Sequence, residues 1–294
     1  MSKVIVTVAP TGGMSMKSQN PNLPTQPAEI AEDVYKCHKA GAAIVAIHAR
    51  RPDDQATCNA AIYRDINDRV RAKCDIILNN STGGGNSGDM LIERPDGLYE
   101  SNFDERLKGI DGGAEMCTFD GVTVVDCVNP DKEVVVITTP SRCETLVKRM
   151  VEKGIKPEWE VFSPEHILQD VTRLIKKGYD KPPYYINIVI GGDKGFQGAM
   201  PYSPEILDFM VKCLPPQSIW CISGIGPAQL PATTQALMLG GHVRVGLEDN
   251  HWYAKGVQAN NLMLVERQVR ILRELGHEPM SAAETRDVLG LKQL

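Results

Sequence analysis

Two short stretches carry residue types that hold cations and move protons. One is Ala46-Ile47-His48-Ala49-Arg50, which closes an apolar run beginning at Ala42; the other is Arg244-Val245-Gly246-Leu247-Glu248-Asp249, which closes the last such run in the chain. Residues two apart on a strand point the same way, so His48 and Arg50 share a face with position 46, and Arg244, Gly246 and Glu248 share another. An imidazole and a carboxylate displayed in this manner read as two ligands of a metal site. A second imidazole beside His48 would stand at position 46, and there the chain has alanine.

Each residue also has a plainer reading. His48 is either a hydrogen-bonded core histidine or a ligand. Glu248 and Asp249, adjacent at the end of an apolar strand, cost several kcal/mol unless a cation, an arginine or hydrogen bonds offset them, and Arg244 on the Glu248 face is the obvious partner for a structural ion pair. The run Gly83-Gly84-Gly85 exposes backbone N–H groups that suit an anion or a hinge, but it matches neither the P-loop nor the dinucleotide fingerprint. Ser81 and Thr82 before it offer hydroxyls for a carboxylate or for orienting a base. His38, His166 and His277 are expected at surface or packing positions, and His242 before the last strand. His251 follows the two acids closely enough to be a substitute ligand.

These residues need a scaffold that brings distant strand ends together. Strand-length apolar runs alternate with longer segments of helical period, the pattern of βα units around a parallel sheet. The expected strands are Val4–Ala9, Ala43–Ala49, Asp75–Asn80, Ala114–Thr118, Glu158–Phe162, Tyr184–Ile190, Ser218–Ile222 and Val243–Leu247. Helices are expected at Pro27–Ala40, Asn59–Lys73, Ser141–Lys153, Pro164–Lys177, Pro204–Lys212, Pro227–Leu239 and Lys255–Leu275; Ser163-Pro164 and Ser203-Pro204 are cap-plus-proline starts. Eight units suit a closed (βα)8 barrel over residues 1–294 as one domain, with a doubly wound open sheet as the alternative. The long segments 11–26 and 83–103 follow strand C-terminal ends, where such barrels build their sites. Thr11, His48, Arg50, Ser81, Thr82, Gly83, Thr118, Glu160, Arg244, Glu248 and Asp249 all fall on that rim.

Composition sets the class. The chain has 294 residues, 42% of them hydrophobic, and a formal charge of −5 with no Lys/Arg block, so nucleic acid and membranes are poor partners. No run is long and apolar enough for a bilayer and no signal-peptide pattern opens the sequence, so a cytoplasmic protein is expected. The eight cysteines stand singly and are expected to be reduced.

Nearly the whole chain resembles the β-keto acid cleavage enzyme family. The matching stretches are Pro21-Asn22-Leu23-Pro24, Ala40-Gly41-Ala42, His48-Ala49-Arg50, Ser81-Thr82-Gly83-Gly84, Gly224-Ile225-Gly226 and Gly240 through Asn250. The resemblance implies a homotetrameric βα barrel that condenses a β-keto acid with acetyl-CoA and returns acetoacetate and a new acyl-CoA. It also implies zinc on two histidines and a glutamate, matching Ala46, His48 and Glu248, so one ligand is absent. Asp249 matches the base, Ser81 and Arg244 the residues that orient and tune it, and Thr82, Thr118 and the turn at Thr11 the substrate pocket. Met14 matches a glutamate of the member that takes an amino-bearing substrate; methionine offers an ammonium no charge, so a neutral or apolar β-keto acid is expected.

The expectation is a metal-assisted enzyme that takes a β-keto acid and acetyl-CoA, with zinc on His48 and Glu248 and Thr11, Met14, Arg50, Thr82, Gly83, Thr118 and Glu160 facing substrate. Two other readings stay open: a metal-independent member of the same family, and a barrel that binds a keto acid without turnover.

Overall fold

The computed structural model describes residues 2–129 and 131–294. Eight parallel strands close a barrel: β1 Val6–Val8, β2 Ile44–Ile47, β3 Ile77–Asn80, β4 Met116–Phe119, β5 Lys156–Val161, β6 Tyr184–Ile190, β7 Ser218–Gly224 and β8 His242–Val245, each paired with the next and β8 with β1. All eight coincide with the expected strands to within a few residues. Closure leaves no open edge, which excludes the doubly wound sheet.

Alternation along the strands grades the interior from apolar to polar. At the bottom, Ile5, Ile44, Ile77, Met116, Tyr185 and Cys221 pack with Met280 and Leu289 from the C-terminal segment. Two residues further up the same faces stand Thr7, Ala46, Asn79, Thr118 and Asn187, all nearly or fully buried. The register sets Glu160 beside Asn187, and Ser223 beside Arg244. The top layer is therefore polar because each strand contributes one more alternate residue before it ends.

Helices ring the barrel at Pro27–Lys39, Ala60–Arg71, Pro140–Glu152, Pro204–Lys212, Gln229–Met238 and Asn261–Glu274. Their starts obey capping chemistry: Ser203 Oγ accepts from Ile206 N–H before Pro204, and Asn59 Oδ1 from Ala61 N–H. The segment expected as one helix at 164–177 opens with a wider-wound π turn, His166–Val171, before an α-helical turn, Thr172–Lys176. The expected helix from Lys255 begins only at Asn261, because Trp252–Ala254 and Val257–Gln258 form a hairpin first.

One layer was absent from the expectation. Leu91–Glu93, Tyr99–Ser101, Val124–Asp126, Val134–Val136 and Phe196–Gln197 join into a five-stranded sheet over the barrel mouth, drawing on the long 83–103 segment and on the loops after β4 and β6.

Gly246, between Arg244 and Glu248, shows how tightly the rim is built. Its φ is +153°, and a Cβ there would lie 2.0 Å from the Ala9 carbonyl oxygen. Gly246→Ala should destabilise the fold by about 3 kcal/mol or more, whereas Gly256→Ala, with positive φ but open space around it, should cost about 1 kcal/mol. Urea unfolding of both variants checks this, and equal losses would show that backbone conformation alone governs position 246.

Candidate active site

Arg244 rises from the end of β8 into the polar layer and is almost fully buried. Its Nε donates to Asp249 Oδ2 at 3.0 Å and its Nη2 to Asp249 Oδ1 at 2.8 Å, a two-pronged clamp. The same Nη2 donates to Glu248 Oε1 at 2.5 Å, and Nη1 to Glu160 Oε1 at 3.0 Å. Four of the five guanidinium N–H groups are thus committed to three carboxylates, leaving one on Nη1. Asn187 Nδ2 also donates to Glu160, at 3.0 Å.

Backbone contacts hold the two acids in this arrangement. Glu248 N–H donates to the Ala9 carbonyl, and the Asp249 carbonyl accepts from Gly226 N–H at 2.7 Å, tying β1 and the turn after β7 to the end of β8. Gly12, in the left-handed region, lies against Glu248: a Cβ there would come within 2.7 Å of Glu248 Cγ.

The carboxylates diverge in basicity. For Asp249, burial is the largest influence and outweighs the Arg244 clamp, so its carboxyl is pushed up to about 6. Burial also works on Glu248, but there Arg244 and then His48 prevail and hold it at about 2. Burial raises Glu160 well above the ordinary range despite Arg244. The cluster therefore contains a permanent anion in Glu248 and a base poised near neutrality in Asp249, the separation that acid–base work requires.

His48 completes this end of the site. Its Nδ1 lies 3.0 Å from the Gly84 carbonyl and donates to it, and its Nε2 stands 3.3 Å from Glu248 Oε1. Glu248 Oε2 is buried without a hydrogen-bond partner. These are two donors for a cation. Position 46, at 1% exposure, supplies only a methyl group. His251 Nε2 is engaged with Ser15 Oγ at 2.8 Å, and among the described residues no three or more His, Cys, Asp or Glu side chains converge as a metal group. The set falls one protein ligand short of a three-ligand catalytic zinc and does not fit that ion.

His48, Ser81, Gly83, Glu160, Arg244, Glu248 and Asp249 line a cavity of about 370 Å³, with Met14 on its wall. Four residues expected to face substrate do not line it. Arg50 spends its guanidinium on the carbonyls of Gly12, Ser15 and Asp54, fastening the loop after β1. Thr11 Oγ1 donates to the Pro24 carbonyl at 2.8 Å. Thr82 and Thr118 bond each other, Thr82 Oγ1 to the Thr118 carbonyl and Thr82 N–H to Thr118 Oγ1. In each case a buried hydroxyl or guanidinium must satisfy its hydrogen bonds, and nearby backbone does so. Sequence reasoning missed the apolar part of the wall formed by Val122, Val124, Val128, Val134, Val136 and Phe196, and the charged Asp120, Asp126 and Lys194 on it; the β-branched run Val134-Val135-Val136 was the available signal.

Comparison with known proteins agrees in family and fold. A family model described as beta-keto acid cleavage enzyme matches residues 3–291. The 3-keto-5-aminohexanoate cleavage enzyme of Fusobacterium nucleatum subsp. nucleatum is 34% identical, covering 100% of each chain. The 3-dehydrocarnitine:acetyl-CoA trimethylamine transferase of Rhizobium meliloti is 32% identical over 98% of this chain and 97% of its own. Among solved structures, apo ObcA superposes with a TM-score of 0.70 at 22% identity, over 92% of this chain and 66% of that one, a likeness of fold.

Restoring the missing donor tests the two-ligand description. Ala46→His should raise zinc affinity by at least the roughly tenfold that even an outer-shell partner contributes, read by competition with a chromogenic chelator. Unchanged affinity would mean that His48 and Glu248 are not disposed as ligands.

Proposed function

The chain belongs to the beta-keto acid cleavage enzyme family, and from that premise we propose that it exchanges acyl groups between a β-keto acid and acetyl-CoA, releasing acetoacetate and a new acyl-CoA. The observation that carries this reading is Asp249: a carboxylate clamped by Arg244, facing a cavity, with its basicity raised to about 6. A protein that only bound keto acids would have no use for such a base.

In the proposed reaction Asp249 takes a proton from the carbon between the keto and carboxylate groups. The resulting enolate attacks the acetyl-CoA thioester carbon and the C–S bond breaks, expelling the coenzyme A thiolate; the thiolate adds to the original keto carbon, and retro-Claisen cleavage of the carbon–carbon bond releases the enolate of acetoacetate while the remaining acyl group leaves on the sulfur. Atoms balance, and the proton returns from Asp249. Arg244 holds the base in line and keeps one N–H free for developing oxyanion charge. Ser81 Oγ, which accepts from Gly83 N–H at 3.1 Å, is a hydroxyl on the same wall for the substrate carboxylate.

Zinc was part of the expectation, and its proposed ligands would be His48 and Glu248. Because that pair is a donor short, the metal-independent form is the second reading, favoured by Ala46, and no step above passes through a metal. A cytoplasmic homotetramer belongs to the same proposal. No helix among the described residues is long and apolar enough to cross a membrane, and Phe209, Leu230, Met238 and Leu239 expose apolar surface suited to subunit contact. Light scattering measures the assembly.

Asp249→Asn should lower kcat in an acetyl-CoA-dependent acetoacetate assay by about 10²- to 10⁴-fold while β-keto acid binding persists. With the native chain, kcat/KM should fall as pH drops through about 6, since the base works only when ionised and Asp249 takes up its proton there. Arg244→Gln removes the cation that lowers this value, so the acid limb should move to higher pH. A limb that stays in place in that variant would assign the base elsewhere.

A further inference from the structure

The cavity has two unlike ends. His48, Ser81, Arg244, Glu248 and Asp249 make one; the sheet over the mouth makes the other. In that sheet Val124 pairs with Val136, Val125 with Val135 and Asp126 with Val134, antiparallel. Residues directly opposite share a face and successive residues alternate, so Val124, Asp126, Val134 and Val136 project together. All four line the cavity, whereas Val125 and Val135 do not. Phe196 on the neighbouring strand, and Val122, extend the same apolar surface.

The single acid on this face is already consumed. Asp126 Oδ1 accepts from Val128 N–H at 3.0 Å, and its Oδ2 from Asn86 Nδ2 at 2.8 Å. Another carboxylate on the lining, Asp120, sits beside Gly83, where its Oδ2 would be 2.6 Å from a Cβ on that glycine. Its Oδ1 is buried and unpartnered, and Arg106 stands 3.9 Å from Oδ2. The valine side chains therefore offer a ligand hydrocarbon contact; the charged groups on the lining beside them are Asp126, whose hydrogen bonds come from neutral N–H donors, and Lys194, exposed and two residues before Phe196.

Resting on the acyl-exchange reading, we propose that this valine face selects the substrate: the β-keto acid carries an uncharged hydrocarbon chain beyond its keto carbon, which lies against Val124, Val134 and Val136 while the carboxylate end meets Ser81. Each methylene moved from water onto such a wall strengthens binding about fourfold. A chain ending in ammonium or carboxylate would lose its hydration against the valine methyls, which offer it no partner.

The test is a series of straight-chain 3-oxo acids from five to eight carbons, with 3-oxo acids ending in ammonium or carboxylate, assayed in the acetoacetate-forming exchange. kcat/KM should rise about fourfold per added methylene until the wall is filled, and the charged chains should fall below the apolar chain of equal length by roughly tenfold or more. Val136 is only half-buried, so Val136→Phe should fold and shift the optimum to shorter chains. Preference for a charged chain, as Asp120 would give an ammonium or Lys194 a carboxylate, overturns the proposal; so does a Val136→Phe effect confined to KM for acetyl-CoA, which would give the wall to the pantetheine arm. Calorimetry with unreactive 3-hydroxy acids of the same lengths separates the two readings. Chain-length-dependent binding without turnover would sink the exchange reaction and keep the wall, and binding independent of length would sink the wall.

Discussion

One guanidinium facing three carboxylates is the contact on which the site depends. Arg244 bonds Glu160 from β5 and Glu248 and Asp249 from the end of β8, with Arg244 and Asp249 buried and Glu160 and Glu248 mostly so. Taking this many charges out of water is expensive, and a well-packed apolar set would serve stability as well or better. One cation cannot neutralise three anions, so the cluster sorts them. Burial pushes Glu160 up toward the protonated form, Glu248 beside His48 stays ionised, and Asp249 rests between. Three acids around one base become three different chemical groups because their surroundings differ.

The remaining architecture reads as the means of holding that cluster still. Closure of the barrel brings β5 and β8 into reach although 84 positions separate Arg244 from Glu160 in sequence. Gly246 lets β8 lie against the Ala9 carbonyl, and Gly12 lets the loop after β1 lie on Glu248. Arg50, with a buried charge and every contact a backbone carbonyl, fastens that loop from behind. A positive charge used on the scaffold is the counterpart of Arg244, four of whose five N–H groups go to the acids.

Periodicity revealed the barrel because strands buried on both sides are written as apolar, β-branched runs, and all eight of those runs are barrel strands. The same signal under-reported the sheet over the mouth. Its strands are two or three residues long and lie inside segments whose turn-forming residues make them look like loops, and their pairing brings residue 125 to residue 197, which no local window can see. Placement of polar residues was half legible. Strand-end position located Arg244, Glu248, Asp249, His48 and Ser81 on the cavity, but the same criterion also selected Thr11, Thr82, Thr118 and Arg50. Whether a buried hydroxyl faces ligand or backbone is decided by what lies within 3 Å of it, and spacing carries no information on that. Ala46 was legible from the start, since the absence of a donor is a property of residue type and no packing can supply one.

The two ends of the cavity are built from different parts of the chain. Arg244, Glu248, Asp249 and Ser81 stand on or directly after barrel strands, where a shift of one residue would turn the side chain to the other face and break closure as well as chemistry. The valine face belongs to an added sheet held to the barrel only through loops, so its residues can change without disturbing the register of β1 through β8. On the proposed reading, the groups that handle the keto and carboxylate functions are locked into the barrel, while the surface that meets the rest of the substrate is mounted outside it. Met14 stands on the same side of this division: it sits on the loop after β1, beyond the last barrel residue, and lines the cavity.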